Sequence, residues 1–584
     1  MNRYAMFHAA NSAYCFPVSE KEIVLKLRTA RDDMRRVQVF YESKYVIAER
    51  RRCADMVKFG SSELYDYYTV TLRLEDTRLA YVFYVDDGTE QYYFSEDGVT
   101  EDYDYSLGFY NFFQYPYINR ADIPQMVDWM KEAVFYQIFV DRFCRGNQEK
   151  EDSYINIRWG DIPTPKSFAG GDLRGITEKL DYISSLGCNA LYLTPIFRSI
   201  SNHKYDIIDY YQIDEQFGSA DDLKELVAEA HARGMRVVLD AVFNHCSEQM
   251  AQFQDVLQKG RESSYYNWFL IDGDKPDPQT GNYEMFAACT YMPKLNTCHP
   301  EVQRYLAEIG GYYLREYHID GWRLDVCDEV SHDFWRFFRK EIKAVDPEAV
   351  IIGENWHDAS DSLRGDQYDS IMNYAFTKAC LDYFAKDKLD AQHMAWRLND
   401  IRMRNTDTVN RMMLNLLDSH DTHRFFSEVG QDREAMKAAL CLLYLFPGVP
   451  CIFYGTEILT PGGYDPDCRR CMDWEAVRRV VGSVQNKTTQ GTMGEDAKAV
   501  TKATDSCADM FALLRRLSML RREYKLADGQ TMIEAQNDVL IVKNRTQENQ
   551  VVLLINRTGE DKEILGTKVE AKTHGILVNG GRIL

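Results

Sequence analysis

The sequence predicts a multidomain protein built on a (β/α)8 TIM barrel, with a β-sandwich before the barrel, a small subdomain inserted into it and a second β-sandwich after it. Three observations carry that prediction. Residues 1–122 alternate apolar and polar positions between turn residues, residues 123–525 alternate short apolar runs with amphipathic helical stretches, and residues 526–584 return to alternation. A chain of 584 residues, 45% hydrophobic and 27% charged, is too long for one small module and has ample material for several cores.

In the N-terminal part, residues 23–27, 67–74 and 79–84 read as strands separated by Asp, Gly and Thr turns. The cluster Tyr103, Tyr105, Phe109, Tyr110, Phe112, Phe113, Tyr115 and Tyr117 could stack on sugar rings. Aromatics at this density more often fill a sandwich core or a subunit contact.

The barrel strands are expected at 134–140, 190–193, 236–241, 321–324, 350–353, 370–372, 412–416 and 451–453. Helices are expected at 176–186, 221–233, 301–317, 333–345 and 433–445, which leaves the sixth repeat as the weakest match to the pattern. Residues 246–298 are too long for an ordinary loop and are rich in Trp, Tyr and Phe, hence an inserted subdomain. In the tail, 539–543 and 551–555 read as strands.

A net charge of -21 would repel nucleic acid or an anionic membrane surface, so neither is expected as a partner. The uncharged run 438–455 has the length of a membrane span, but Pro447, Gly448 and Pro450 divide it into a helix-like and a strand-like half. Met1 to Asn11 carries one Arg and no apolar run, so no secretory signal is read there and a cytoplasmic location is expected. Most of the 14 cysteines lie in apolar segments, which fits a reducing compartment. Cys468 and Cys471 form a CxxC pair without the second pair that a four-cysteine zinc site would need.

Side chains at the C-terminal ends of barrel strands face the site of chemistry. Asp240 closes the third strand, Asp325 the fourth and Glu354 the fifth, and Asp421 follows the seventh, with His245 and His420 beside them. Each acid alone could be a cap or an ion-pair partner, but four at one mouth are costly unless their charge is used. Such a set suits glycoside hydrolysis, which needs one protonated acid and one ionised carboxylate. Metal-assisted hydrolysis is the competing use, and it would normally recruit more histidines.

At these residues the chain resembles the alpha-amylase superfamily of retaining glycoside hydrolases. The stretches are Asp240-Ala-Val-Phe-Asn-His245, Gly321-Trp-Arg-Leu-Asp325, Gly353-Glu-Asn-Trp356 and Leu417-Asp-Ser-His-Asp421, in the family's order and on the expected strands. Met292-Pro-Lys-Leu-Asn296 is similar to a mark of the neopullulanase, cyclomaltodextrinase and maltogenic amylase subgroup, which also carries an N-terminal β-sandwich. The resemblance implies Asp325 as nucleophile, Glu354 as acid/base with a raised pKa, and Asp421 as the acid that binds sugar hydroxyls and distorts the ring. It further implies that Arg323 orients Asp325, that His245, His420, His203 and Tyr205 contact the same sugar, and that Trp356 and Phe286 line neighbouring subsites.

Two departures from the family pattern matter. The loop expected to hold calcium reads Arg145-Gly-Asn-Gln-Glu-Lys150-Glu151, followed by Gly170-Gly-Asp172, and its two cations argue for loss of the site and for no cofactor. Cys327-Asp328 replaces the usual small-residue-plus-Asn pair after the nucleophile, which bears on acceptor specificity. The expected activity is hydrolysis of α-1,4-glucosidic bonds in cyclodextrins, pullulan and maltooligosaccharides, by a homodimer assembled through the N-terminal domain. A transglycosylase or isomerase using the same intermediate is the alternative, and a non-catalytic glucan-binding protein a third reading.

Overall fold

The computed structural model describes residues 1–46, 51–104, 111–486 and 495–584. The N-terminal segment forms two antiparallel sheets, because its alternating strands each have one apolar face to bury. One sheet orders Cys15–Ser19, Glu22–Ala30, Tyr65–Arg73 and Val57–Ser61; the other orders Arg52–Asp55, Arg36–Glu42, Leu79–Asp86, Gln91–Ser95 and Gly98–Thr100. Phe113–Tyr115 also pairs with Leu79–Asp86. Ile23, Leu25, Leu27, Val39, Tyr81 and Phe83 form the core between the sheets. Phe113 and Tyr115 belong to that core, and Phe112 is buried against Ala80 and Val82. Only Tyr117 of the described cluster is strongly exposed; Tyr105, Phe109 and Tyr110 lie outside the described residues.

The sandwich is fastened to the barrel helix Ala391–Met403 and the turn after it. Tyr67 Oη donates to Asp400 at 2.9 Å, Asn399 Nδ2 donates to the Ser61 carbonyl at 2.9 Å, and Lys26 Nζ meets Asp407 at 2.8 Å.

Eight parallel strands follow: Phe135–Ile138, Ala190–Leu193, Arg236–Ala241, Gly321–Leu324, Val350–Gly353, Ser370–Ile371, Leu414–Leu416 and Val449–Phe453. The eighth pairs with the first, and a single bridge, Met372 to Leu414, joins the sixth to the seventh and closes the barrel. Phe135, Tyr192, Val238, Val350, Ile352, Met372 and Leu414 plug its interior.

Several predicted bounds shift. The first strand stops at Ile138, and Val140–Phe143 turns helical. The single helix expected at 176–186 is two, Leu173–Thr177 and Leu180–Ser185, the first capped by Asp172, which accepts from the Gly175 amide. Between the fifth and sixth strands there is no α-helix, only the turn Ser360–Ser362.

The run 438–455 divides as its prolines require, into the buried helix Arg433–Leu445 and the strand Val449–Phe453. Among the described residues no helix is long and apolar enough to cross a membrane. The insertion carries the helix Ala251–Lys259 and is stitched to the third strand's end by the bridge of His245 to Lys294. At the C-terminus the sheet Gln530–Gln536, Val539–Arg545, Gln550–Asn556, Thr573–Val578 and Gly581–Arg582 packs on the hairpin Lys562–Ile564 and Thr567–Val569, with Val539, Ile541, Leu554, Ile564 and Val569 between.

Candidate active site

The fourth strand supplies the centre of the site. Arg323 and Asp325 are two residues apart, so both point into the barrel mouth, and register places Asp240 directly beside Arg323 on the neighbouring strand. Arg323 is fully buried. Its Nη1 lies 3.0 Å from both Asp240 oxygens and 2.9 Å from Asp325 Oδ1, while Nη2 is 2.9 Å from Glu354 Oε2 and 3.8 Å from Asp421 Oδ2. The Nη2 contact is an ion pair without an aligned hydrogen bond.

Each carboxylate is held differently. Asp325 Oδ2 takes no hydrogen bond among the described residues, which leaves one oxygen uncommitted. Glu354 Oε2 accepts from the Val326 amide at 2.9 Å and Oε1 from Trp356 Nε1 at 3.1 Å. Asp421 lies 3.2 Å from His420 Nε2 and 3.4 Å from Arg469 Nη2. Asp240 accepts from Tyr192 Oη at 2.7 Å and from Tyr205 Oη at 3.0 Å.

Burial pushes the carboxyl of Asp240 up to about 6, with Arg323 opposing. Asp325 is driven well above the ordinary aspartate range by burial first and by the charge of Glu354 second, again against Arg323. Burial acts in the opposite sense on the imidazoles. His245 is lowered to about 3, His420 well below its usual value, and His203 is lowered as well. All three are neutral and so combine one N–H donor with one acceptor.

A relay follows from those tautomers. Gln137 Nε2 donates to His420 Nδ1 at 2.7 Å, His420 Nε2–H donates to Tyr205 Oη at 2.5 Å, and Tyr205 Oη donates to Asp240. The Tyr205 and His420 rings lie parallel at 5.7 Å. His203 Nδ1 accepts from the Tyr205 amide at 3.1 Å, which fixes the turn that carries Tyr205. His245 Nε2 is buried without a partner among the described residues, and its ring stacks on Phe286 at 4.6 Å. Trp356 stacks on Tyr374 at 3.6 Å and leaves its other side exposed. Beside these groups lies a cavity of about 550 Å³ lined by Trp356, Asp421, His423, Tyr464 and Arg469.

Every residue predicted from sequence for the site is therefore at this mouth or packed against a group that is. Four contributors were not anticipated there: Gln137 and Tyr192 on the first two strands, Tyr374 under Trp356, and Arg469, which also donates from Nε to the His420 carbonyl at 2.7 Å. A polar Gln and a Tyr facing inward on otherwise apolar strands were the available signal for the first two. Cys468 and Cys471 are both buried thiols behind the site; Cys468 donates to the His420 carbonyl, and burial pushes its thiol up to about 12.

The loop that the family pattern would give to calcium holds an ammonium instead. Lys150 Nζ donates to the carbonyls of Gly170 at 2.7 Å and Gln216 at 2.9 Å and pairs with Asp172 Oδ2 at 2.9 Å, with its side chain nearly buried. Asp172 is spent further on the amides of Gly146, Asn147 and Gly175. These oxygens serve a fixed cation of the protein's own, and the residues do not fit a hard metal ion needing six or more of them.

Comparison with known proteins gives the family. Residues 137–529 match the family model for the alpha amylase catalytic domain, and residues 1–119 match that for the alpha amylase N-terminal ig-like domain. The chain is 45% identical over 478 residues to a cyclomaltodextrinase of Thermoanaerobacter pseudethanolicus, covering 81% of this chain and 83% of that protein. It is 42% identical over 478 residues to neopullulanase 2 of Thermoactinomyces vulgaris, covering 81% and 80%. A solved cyclomaltodextrinase superposes with a TM-score of 0.86 at 36% identity, over 96% of this chain and 92% of that one. The chain belongs to the alpha-amylase family of glycoside hydrolases, in the group of cyclomaltodextrinases, maltogenic amylases and neopullulanases.

Proposed function

We propose that this protein hydrolyses α-1,4-glucosidic bonds in cyclodextrins, pullulan and short maltooligosaccharides, with retention of configuration, through a covalent glycosyl-enzyme. The observation that carries the reading is the guanidinium of Arg323 shared among Asp240, Asp325 and Glu354. Burial first and the charge of Glu354 second raise the Asp325 carboxyl against the pull of Arg323, a crowding of acids that suits a reaction needing one carboxylate and one acid. Asp325 attacks the anomeric carbon with Oδ2 while Arg323 holds Oδ1. Glu354, oriented by the Val326 amide and by Trp356, protonates the leaving oxygen and then takes a proton from the incoming water. Asp421, His245 and His420 bind hydroxyls of the same sugar, and Tyr205 stacks on its face. Trp356 and Phe286 serve neighbouring rings.

No metal takes part in this reading, since Lys150 supplies the positive charge that ties the 145–172 loop to the 199–217 segment. The working unit is a cytoplasmic homodimer in which the N-terminal sandwich of one subunit narrows the cleft of the other. Exposed apolar groups on the sandwich, Tyr45, Val46, Val57 and Leu64, supply anchors for such a contact. Proton NMR of the first product formed from cyclodextrin tests the chemistry. An α-anomer supports it, and a β-anomer would sink the covalent route. Turnover of cyclodextrin, pullulan and starch measured side by side tests the substrate range.

A further inference from the structure

The pair Cys327-Asp328 departs from the family pattern just after the nucleophile, and the reaction as derived above makes no use of it. Asp328 is exposed. Cys327 is 1% exposed, so its thiol is out of reach of substrate and can act only through other residues.

Cys327 opens the short turn Cys327–Glu329 at the end of the fourth strand. Its Sγ donates to the main-chain carbonyl of Glu354 at 2.9 Å, and that carbonyl has no other hydrogen bond among the described residues. Burial pushes the thiol up, which keeps the S–H as a donor at neutral pH. Val326 gives its amide to Glu354 Oε2 at 2.9 Å, and the Glu354 amide donates to the Leu324 carbonyl at 2.9 Å. Three hydrogen bonds thus tie Glu354, at its amide, carbonyl and carboxylate, to residues that flank Asp325.

The far side of Cys327 is held as well. Its carbonyl accepts from Trp335 Nε1 at 2.8 Å and from Tyr368 Oη at 3.1 Å, and these two buried rings meet edge to face at 5.9 Å. The turn is therefore braced from the helix His332–Val345 and from the chain entering the sixth strand. Gly353 leaves room for the brace: a Cβ there would lie 2.8 Å from Cys327 Sγ and 3.1 Å from the Tyr368 ring.

We propose that Cys327, braced by Trp335 and Tyr368, is a positioning residue that sets the acid/base Glu354 in place relative to the nucleophile Asp325. This rests on the roles proposed above for those two carboxyl groups. A retaining pair works at a separation of about 5–5.5 Å, and a misplacement of about 1 Å costs on the order of 10²-fold in rate. Asp325 has its own supports, in Arg323 and in the bond of its amide to the Ala241 carbonyl at 3.0 Å. Loss of the thiol therefore falls on Glu354, and so on protonation of the leaving group.

The test compares two substrates of the full-length protein: maltotriose, whose leaving oxygen needs a proton, and α-maltosyl fluoride, whose fluoride departs without one. Cys327→Ala should lower kcat/KM on maltotriose by about tenfold and leave that on the fluoride within about twofold of native. Cys327→Ser restores a donor at the same place and should return maltotriose to within about threefold of native. Tyr368→Phe keeps the ring but removes one donor to the Cys327 carbonyl; it should slow maltotriose by about threefold with the fluoride unchanged, and it carries the test if Cys327→Ala folds poorly. Equal losses on both substrates would make the thiol a packing element and overturn the proposal, as would a native rate on maltotriose or a serine variant as slow as the alanine one. Glu354→Gln tells the two readings apart. It should lose maltotriose turnover far more than fluoride turnover, and equal losses there would overturn the proposed function, whereas a normal Glu354→Gln result beside a failed Cys327→Ala result would overturn only the positioning role.

Discussion

The main-chain N–H of Val326 donates to Glu354 Oε2 at 2.9 Å from a residue held at φ 45° and ψ 44°. That left-handed conformation is unfavourable for a β-branched side chain and costs on the order of 1–3 kcal/mol. The strain turns the amide next to Asp325 toward the other catalytic carboxylate. Val326→Gly keeps the N–H and removes the steric cost, so kcat/KM should stay within about threefold of the native value and the thermal midpoint should not fall. A large loss of activity with an intact fold would show that the side chain, and not the amide, matters.

Asp325→Asn and Glu354→Gln should each lower turnover by on the order of 10³-fold or more while leaving the fold intact. Asp325→Asn should also stabilise the protein at neutral pH. The folded pKa of Asp325 is raised, so ionising it costs more in the native state than in the unfolded chain, and stability falls as pH climbs from the unfolded value through the folded one. An amide has no such cost. Activity above a tenth of native in either variant, or an unfolding midpoint at pH 7 lowered by Asp325→Asn, would contradict the assignment.

Arg323→Lys keeps the charge but cannot reach Asp240, Asp325 and Glu354 together, and kcat/KM should drop by about 10²-fold or more. The guanidinium is what opposes the upward push on Asp240 and Asp325. Weakening it raises both carboxyls further, so the acid limb of the kcat/KM profile should move to higher pH. An unmoved or acid-shifted limb would refute the electrostatic role.

Dialysis against a chelator should change neither rate nor melting temperature, since Lys150 is bonded to the oxygens a calcium ion would need. Lys150→Met should destabilise the protein by about 3–5 kcal/mol, because it leaves the buried Asp172 carboxylate without its cation. Loss of stability on chelation that added calcium restores would reverse this reading.

In gel filtration the protein should run as a dimer, and it should degrade cyclodextrin faster than starch. Removing residues 1–122 should give a monomer or aggregate with a reduced preference for cyclodextrin. In the proposed dimer the sandwich would tie selectivity to assembly, by narrowing each cleft against wide helical polymer. A native monomer that prefers starch would defeat both halves of the prediction.

The order of elements and the acids at the strand ends were legible in the sequence, because both rest on local regularities. A strand with alternating faces, or an Arg two residues before an Asp on one strand, has its geometry set by backbone period alone. Asp240, Arg323, Asp325, Glu354 and Asp421 could therefore be placed at one mouth before any contact was seen. Relations between distant segments were not legible. Gln137, Tyr192, Tyr374 and Arg469 join the site through closure of the barrel and the fold of the chain after its eighth strand, which set Gln137 against His420, 283 positions away. The sequence marked Lys150 as a cation in an unusual loop, whereas only the packing of residues 170–172 and 216 around it made that cation internal. The aromatic cluster near residue 112 shows the same division: composition identified the rings and left core, subunit contact and sugar stacking open, and the position of the second sheet decided that Phe112, Phe113 and Tyr115 are buried within one subunit. Local period determines which way a side chain points, and only tertiary closure determines what it meets.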